Sequence, residues 1–386
     1  MNGERLERLL SEMKAAKVDA IVLRNPENVL FTTGYWPITG WSVFCLKANG
    51  KSSLLVPESE LGFLDKQPVD EVTVLPEENL SEIYDPYKRI RSFIGDLGLK
   101  AGSRVGVELS METLATVHTG AELSFMGNKT LGILRDHDGF HLVDFTDALH
   151  KLRTIKTEDE LGRILIACEI AGLGLQEGLQ HLGQGVSEAE LASTIEGAIG
   201  TVGVGHRGTR LARGFAYVMS GKNGSRAGLP FNVSSKRKMR AGDSVLVELN
   251  VQADGFWADM TRTWFVGKPS PEHQRYHEVV REANEKAIEY AKEGVPVKEV
   301  DAVAREVVSA SGIGHMFNHR LGHGVGFRLH EPPSIHPASN ETLGKNTTFT
   351  IEPGVYGRGF GIRIEDVVVA RSDGSERLSK FRREWG

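Results

Sequence analysis

Cysteine is nearly absent from this chain, which has only Cys45 and Cys168 among its 386 residues. Two thiols cannot build a disulfide framework, and they cannot supply the four ligands of a sulfur-based metal site. A reducing compartment is therefore expected. The N-terminal segment MNGERLERLLSEMKAAK (1–17) carries charges throughout and does not resemble a signal peptide. These features predict a cytoplasmic protein.

The chain also lacks long apolar runs and any large excess of charge of one sign. No run approaches the roughly 20 apolar residues that a membrane helix needs. The net charge is −5, and basic residues cluster only in the short segment KRKMR at 236–240. Nucleic acids and anionic membranes are bound by extended basic surfaces. We therefore expect neither a nucleic-acid partner nor a membrane partner.

The composition is that of a folded protein with two domains. Hydrophobic residues make up 40% and charged residues 25% of the chain, as in a soluble globular protein. A chain of 386 residues usually divides into two domains, each with its own hydrophobic core. Residues 1–150 alternate between helix and strand patterns, which indicates an α/β domain. Leu6, Leu9 and Met13 have helical spacing, VDAIVLR (18–24) is typical of a buried strand, and WSVFCLKANGKSSLLVP (41–57) predicts a hairpin.

Residues 151–386 are predicted to form the second domain, which begins within a polar linker at 150–160. Two capping boxes, Thr157 with Glu160 and Ser187 with Glu190, predict helix starts. Strand patterns follow at about 213–267, helix patterns at about 271–293 and 297–311, and strand patterns again from about 319 to the end. Helices and strands in separate blocks favour an α+β fold.

The segment VELNVQADGFWADMTRT (247–263) places two acids, Glu248 and Asp259, in the two arms of a predicted hairpin. We expect the two carboxylates to lie almost face to face. Two ionised carboxylates on opposed positions repel each other. Such a pair is stable if it shares a proton or if a cation lies between the acids. The alternative is a surface hairpin whose acids are solvated.

A second acid pair, Glu352 and Glu365, lies in FTIEPGVYGRGFGIRIEDVVV (349–369), again with one acid predicted in each arm of a hairpin. Arg363 precedes Glu365 by two residues, so both side chains point to the same face of a strand. We expect Arg363 to hold a carboxylate through charge-assisted hydrogen bonds.

Three histidines, His319, His323 and His330, occur in NHRLGHGVGFRLHEPPSIHP (318–337). The interleaved glycines disfavour a helix and favour a loop or strand that packs closely against another segment. A buried histidine that only makes hydrogen bonds is the alternative to a metal ligand.

Taken together, four carboxylates and one imidazole form an oxygen-rich set of candidate ligands. Two metal ions about 3.5–4 Å apart would balance their charge and activate a water molecule between them. Mn²⁺, Fe²⁺ and Co²⁺ suit such a set, and Zn²⁺ is also compatible with it. The sequence therefore predicts a centre with two divalent ions, of which we favour Mn²⁺.

The order of the motifs DMTRT (259–263), HGVGFRLHEPP (323–333), IEPGVY (351–356) and RIED (363–366) resembles the family of Xaa-Pro dipeptidase, aminopeptidase P and creatinase. The resemblance covers nearly the whole chain, including NPENVLFTTGY (25–35). It implies a creatinase-type α/β N-terminal domain, a catalytic domain with the pita-bread fold and, as is usual in the family, a homodimer.

The resemblance also implies roles for individual residues. The metal ligands are Glu248, Asp259, His323, Glu352 and Glu365, of which Asp259 and Glu365 bridge the two ions. His330 contacts the substrate near the scissile bond, and His319 is a further active-site histidine. Arg363 contacts the metal ligands without binding the metal itself. Glu352 or a bound water molecule moves the proton to the leaving nitrogen.

Two positions depart from the family pattern. Glu248 stands where prolidases have aspartate, and the added methylene moves its carboxylate by roughly 1.5 Å. One metal position is then weakened, altered or empty, so occupancy by a single ion stays open. Phe231 stands where prolidases have a substrate-binding histidine, which favours a different substrate. Trp36 and Trp41 are further candidates for the pocket lining, and packing within their own domain is the alternative.

The leading hypothesis is a metal-dependent amide hydrolase that acts on a small peptide or small amide, by attack of a metal-bridging hydroxide on the carbonyl carbon. One alternative is a hydrolase or lyase on the same fold that opens a cyclic amide or another non-peptide molecule. A second alternative is a binding module without catalysis.

Overall fold

The computed structural model describes residues 3–64, 69–76, 86–109, 128–137, 139–229 and 233–385. They divide into two compact units, and the division falls between Arg153 and Thr154. Within the described ranges, no helix has the length and apolar character required to cross a membrane.

Unit 1 is built around a mixed sheet with helices, as the alternating sequence pattern predicts. Its helices are α1 (Gly3–Ala16), α2 (Pro26–Thr33), α3 (Pro86–Asp96), α4 (Asn128–Asp136) and α5 (Thr146–Thr154). Its strands are β1 (Ala20–Leu23), β2 (Val43–Lys47), β3 (Ser52–Pro57), β4 (Glu71–Leu75), β5 (Arg104–Val107) and β6 (His141–Asp144). The strand order is β4-β3-β2-β1-β5-β6, in which β1, β2 and β3 are antiparallel and the outer pairings are parallel.

The β2–β3 pairing confirms the hairpin predicted at 41–57, and Cys45 lies buried within it. The division between the two units falls within the linker predicted at 150–160, although residues up to Thr154 belong to α5. The helix begins after Asp144, whose carboxylate accepts hydrogen bonds from the Thr146 amide and hydroxyl at 3.0 and 2.6 Å. Lys151 and Arg153, two of the charged residues that suggested a linker, therefore lie in the last turn of a helix.

Unit 2 begins with two helices whose starts follow the predicted capping boxes. Thr157 and Glu160 cap α6 (Glu158–His181), and Ser187 and Glu190 cap α7 (Glu188–Val202). Cys168 lies on the buried side of α6. Later in the chain, α8 (Pro271–Tyr290) and α9 (Val297–Ala310) pack against each other and against an apolar cluster formed with the C-terminal strands.

The strands that the structure describes in unit 2 fall into three sheets. Their bounds are β7 (Ala212–Ser220), β8 (Ser244–Ala253), β9 (Phe256–Phe265), β10 (Gly322–Gly324), β11 (Glu331–Ile335), β12 (Thr348–Ile351), β13 (Gly354–Gly357), β14 (Phe360–Arg363), β15 (Asp366–Ala370) and β16 (Ser375–Arg377). The orders are β7-β8-β9, β11-β10-β12-β15-β16 and β13-β14. Separate blocks of helices and strands confirm the α+β prediction for this part of the chain.

Strand β9 is the centre of unit 2. Every residue from Phe256 to Phe265 is buried, because α6 packs on the β8–β9 hairpin and strands β14 and β15 also contact β9. Polar side chains on this strand are therefore held in the interior of the unit.

Candidate metal centre

The β8–β9 hairpin has a different register from the one expected. Its loop has two residues, Asp254 (φ 45°) and Gly255 (φ 91°), both with the positive φ of a type I′ turn. Glu248 is consequently paired with Thr261, and Asp259 is paired with Asn250. The expectation that Glu248 and Asp259 lie face to face is wrong. They are diagonal neighbours on the same face of the hairpin.

The second acid pair lies where the chain passes from one sheet to another. Ile351, the last residue of β12, is paired with Asp366, the first residue of β15, and the β13–β14 hairpin is inserted between them. Glu352 follows Ile351, and Glu365 precedes Asp366. The predicted hairpin exists, but the two acids flank its open end instead of lying within its arms, because the strands break at both acids.

His323 lies on β10 between two glycines, Gly322 and Gly324, at positions where a side chain would have no room. A Cβ atom on Gly322 would lie 2.0 Å from the Thr350 carbonyl oxygen, and one on Gly324 would lie 2.0 Å from that of Pro332. This close approach confirms the prediction that the glycine-rich segment is packed tightly and is not a helix.

The His323 ring is oriented by the backbone of the next residue, Gly324. Its Nδ1 lies 3.0 Å from the Gly324 carbonyl oxygen, so Nδ1 carries the proton and Nε2 presents a lone pair. Nε2 lies 3.6 Å from Asp259 Oδ2 and 3.5 Å from Glu352 Oε1. The Thr350 hydroxyl, which accepts from the His323 amide at 3.1 Å, donates to Glu352 Oε1 at 3.3 Å.

Most of the predicted ligands converge around this imidazole. Ligand atoms of Asp259, His323 and His330 lie within 4.8 Å of one another, and so do those of His323, Glu352 and Glu365. The His323 and His330 rings have centroids 4.3 Å apart. These two sets share His323, so five of the predicted site residues lie together.

Burial and the charges of neighbouring acids disfavour the ionised form of the acids in this cluster. Burial, reinforced by the charges of neighbouring acids, raises the pKa of Asp259 and of Glu365 well above the usual range. Burial also raises the pKa of Glu352 and lowers the pKa of His323 well below its usual value. Three acids this close in the interior are stable if they hold protons or if cations lie among them. Their oxygens together with the neutral imidazole suit hard divalent ions.

Glu248 has a different partner from the other acids. Its Oε2 accepts from Arg363 Nη2 at 2.5 Å, in a pair whose side chains are 14% and 6% exposed. Arg363 also donates to the Thr261 hydroxyl at 3.1 Å and to the Tyr356 hydroxyl at 3.3 Å. Glu248 thus lies at the edge of the cluster, tied to the arginine that the sequence assigned to a supporting role.

Sequence reasoning missed two residues that hold the predicted ligands. Thr261 donates its hydroxyl hydrogen to Glu365 Oε2 at 2.6 Å, and the Asn250 side-chain amide donates to Asp259 Oδ1 at 2.7 Å. Asn250 lies on β8 and Thr261 lies on β9. Both side chains face the cluster because the hairpin has a two-residue turn. The turn signal Asp254–Gly255 could have identified both.

The third histidine, His319, contacts a tyrosine rather than the acids. Its Nδ1 donates to the Arg320 carbonyl oxygen at 2.7 Å, and its Nε2 accepts from the Tyr356 hydroxyl at 2.9 Å. Burial and the nearby Arg363 charge lower the pKa of His319 to about 3, while burial raises the pKa of Tyr356 to about 12. Both side chains are therefore neutral, and Tyr356 is held between His319 and Arg363.

The residues predicted to line a pocket are Phe231, Trp36 and Trp41. Phe231 lies outside the described residues. Trp41 packs within unit 1, where its ring meets Tyr87 edge-on at 5.4 Å and the Arg24 guanidinium lies 4.8 Å above it. Trp36 is half-buried in the same unit. Their role in a pocket stays a prediction.

Comparison with known proteins gives similarity over the whole chain. The family model for metallopeptidase family M24 matches residues 162–372, and that for the creatinase/prolidase N-terminal domain matches residues 5–155. An Xaa-Pro dipeptidase of Pyrococcus horikoshii is 30% identical over 383 residues, which are 99% of this chain and 98% of the relative.

Solved structures give the same result. The prolidase of Pyrococcus horikoshii OT3 superimposes with a TM-score of 0.77 at 28% identity, over 100% of both chains. The X-Pro aminopeptidase of Thermotoga maritima also has a TM-score of 0.77 at 28% identity, over 98% of each chain.

Proposed function

Because this chain belongs to metallopeptidase family M24 and has a creatinase/prolidase N-terminal domain, we propose that it hydrolyses Xaa-Pro dipeptides or closely related small amides. Relatives along its full length are Xaa-Pro dipeptidases. The observation that carries the proposal is the convergence of Asp259, Glu352 and Glu365 on the His323 imidazole. Such a cluster is expected of a metal-dependent hydrolase and costs stability in a protein that binds no cation.

We assign the metal ligands to the five residues Glu248, Asp259, His323, Glu352 and Glu365. When bound, divalent ions supply Lewis acidity and lower the pKa of an attacking water molecule. Up to four negative charges favour two ions, and the oxygen-rich set favours Mn²⁺ over thiophilic metals. The number and identity of the ions are part of the proposal.

Three further residues are assigned to the handling of substrate and protons. His330, beside His323, donates a hydrogen bond to the carbonyl oxygen of the scissile amide, where negative charge develops. Glu352 accepts a proton from the attacking water molecule and passes it to the leaving nitrogen as the C–N bond breaks. His319 orients the Tyr356 hydroxyl at 2.9 Å, and Arg363 fixes the same hydroxyl from the other side.

The test is a substrate panel on the full chain after chelation and reloading with Mn²⁺. Xaa-Pro dipeptides are compared with the matching Xaa-Ala dipeptides and with small cyclic amides, which the phenylalanine at 231 makes relevant. Glu352→Gln is expected to abolish turnover, whereas Glu289→Gln, an exposed glutamate on α8, is the matched control. Absence of dipeptide hydrolysis at full metal occupancy, or a preference for cyclic amides, would contradict the proposal.

We further propose that the two predicted domains, 1–150 and 151–386, are the N-terminal domain and the catalytic domain of a cytoplasmic homodimer. The predicted boundary lies three residues before the observed division between Arg153 and Thr154. Light scattering during gel filtration tests the dimer, which requires twice the mass of the chain. Elution at the mass of one chain would remove the homodimer from the proposal and leave the hydrolase assignment unchanged.

A further inference from the structure

Asn250 lies beside Asp259 of the acid cluster, at a position that no sequence motif indicates. It is 1% exposed and is paired across the hairpin with Asp259. Its Nδ2 donates a hydrogen bond to Asp259 Oδ1 at 2.7 Å. The amide therefore contacts directly a carboxylate to which the proposed function assigns a role in holding metal.

This hydrogen bond determines which oxygen of Asp259 faces the other ligands. Oδ1 points to Asn250, and Oδ2 lies 3.6 Å from His323 Nε2. The terminal torsion of an aspartate has a broad minimum, so the carboxylate plane is not fixed by its own rotamer. The donor on β8 supplies the missing restraint.

The environment of the Asn250 amide oxygen indicates that the side chain acts mainly through its Nδ2 donor. Asn250 Oδ1 is buried and has no hydrogen-bond partner among the described residues. An unsatisfied buried acceptor is costly, and an apolar side chain of similar volume would avoid that cost. The reverse orientation would place the amide oxygen against a carboxylate oxygen. The useful atom at this position is therefore Nδ2.

We propose that Asn250 is a positioning residue of the metal centre, which holds Asp259 with Oδ2 turned toward His323 and thereby strengthens the binding of divalent ions. The inference rests on the proposed metal-dependent function. Hydrogen-bonding partners of metal ligands typically affect metal affinity by about 10–100-fold when they are replaced.

The test is calorimetric titration of the metal-free full chain with Mn²⁺, without substrate. Asn250→Leu keeps the volume but removes the donor, and Asn250→Ala is a smaller second variant. Both are expected to raise the Kd for Mn²⁺ by at least about tenfold. Gln252→Ala is the matched control, because Gln252 is an amide two residues along the same strand and is paired with Trp257 instead of an acid. Its Kd is expected to stay within about twofold of the original.

Two further readouts separate positioning from a general loss of structure. The unfolding temperature of each metal-free variant identifies any loss of fold. The visible absorption of the Co²⁺-loaded protein reports the geometry around the ion. We expect it to change in both Asn250 variants and not in Gln252→Ala.

The outcomes distinguish this inference from the proposed function. If the original protein binds Mn²⁺ and both Asn250 variants bind it equally well, with the same Co²⁺ spectrum, the inference is wrong and the hydrolase proposal stands. Tighter binding by the variants would also overturn it, because the amide would then compete with an ion for Oδ1. If the original protein binds no divalent ion, the proposed function itself fails.

Discussion

Replacement of Arg363 by methionine tests whether the acid cluster depends on positive charge. Arg363 donates to Glu248 at 2.5 Å and to Thr261 at 3.1 Å, and its pair with Glu248 is only 6% and 14% exposed. Because both side chains are largely buried, this is an interior ion pair and not one of the weak pairs found on protein surfaces. Methionine keeps much of the length and apolar volume of arginine but leaves the neighbouring acids without this cation.

The expected loss can be estimated from the geometry. Two unit charges about 4 Å apart interact by about 4 kcal/mol at an effective dielectric constant of 20. Removal of one partner of a buried pair costs about 3–5 kcal/mol, because the other charge stays buried without compensation. We therefore expect Arg363→Met to lower the free energy of unfolding by about 3–5 kcal/mol in the presence of a chelator. Saturating Mn²⁺ is expected to reduce that loss, because bound ions supply part of the missing positive charge.

Urea unfolding of the full chain, with chelator and then with Mn²⁺, measures both effects. The double variant Glu248→Gln with Arg363→Met is expected to regain at least half of the loss, since the uncompensated charge is then gone. Arg281→Met is the control: Arg281 pairs with Glu285 on the surface, and such pairs contribute about 0–1 kcal/mol. The reasoning is refuted if Arg363→Met resembles Arg281→Met, or if Mn²⁺ leaves its deficit unchanged.

Three other substitutions test parts of the same unit. Thr261→Val removes the hydroxyl that donates to Glu365 at 2.6 Å, and titration with Mn²⁺ should show about tenfold weaker binding. Lys156→Met removes the partner of the buried Glu331, so urea unfolding should show a loss of about 3–5 kcal/mol, at least half of it recovered by adding Glu331→Gln. Burial lowers the pKa of His277 to about 4, so the unfolded chain takes up this proton near pH 6.5 while the folded chain stays neutral. The free energy of unfolding that this histidine contributes above pH 6.5 is thus lost as the pH falls toward 4. Urea unfolding at pH 7.5 and at pH 4.5 measures this loss, which His277→Phe should reduce by about 2–3 kcal/mol.

Much of the fold could be predicted because local signals agree with the tertiary structure. The capping boxes at Thr157 and Ser187 mark the observed starts of α6 and α7. Such signals depend on hydrogen bonds within four residues, so they survive in any tertiary context. The family resemblance, which the comparisons confirm, supplied the architecture that local patterns alone do not give.

The site was predicted in its composition but not in its pairings. Glu248 and Asp259 were expected to be opposed, yet the two-residue turn at Asp254 and Gly255 shifts the register so that Asn250 faces Asp259. A single choice of loop length changes every cross-strand neighbour. The sequence named the acids by type, whereas their hydrogen-bonding partners depend on that register.

The positions of Glu352 and Glu365 illustrate a second limit. Both were placed inside hairpin arms because the flanking residues are strand formers. In the structure the chain leaves the sheet containing β12 at Glu352 and returns to it at Glu365. A change of sheet is decided by long-range pairing, here between Ile351 and Asp366, and leaves little trace in the local sequence.

The central claim is that divalent ions neutralise the buried acids from within the cluster. Anomalous scattering from crystals of the full chain grown with Mn²⁺ tests it most directly. The account predicts strong anomalous peaks within bonding distance of oxygens from Asp259 and Glu365, about 2.0–2.2 Å by comparison with Zn²⁺–carboxylate bonds. Acids that remain in place at saturating Mn²⁺ with no anomalous peak among them would contradict it.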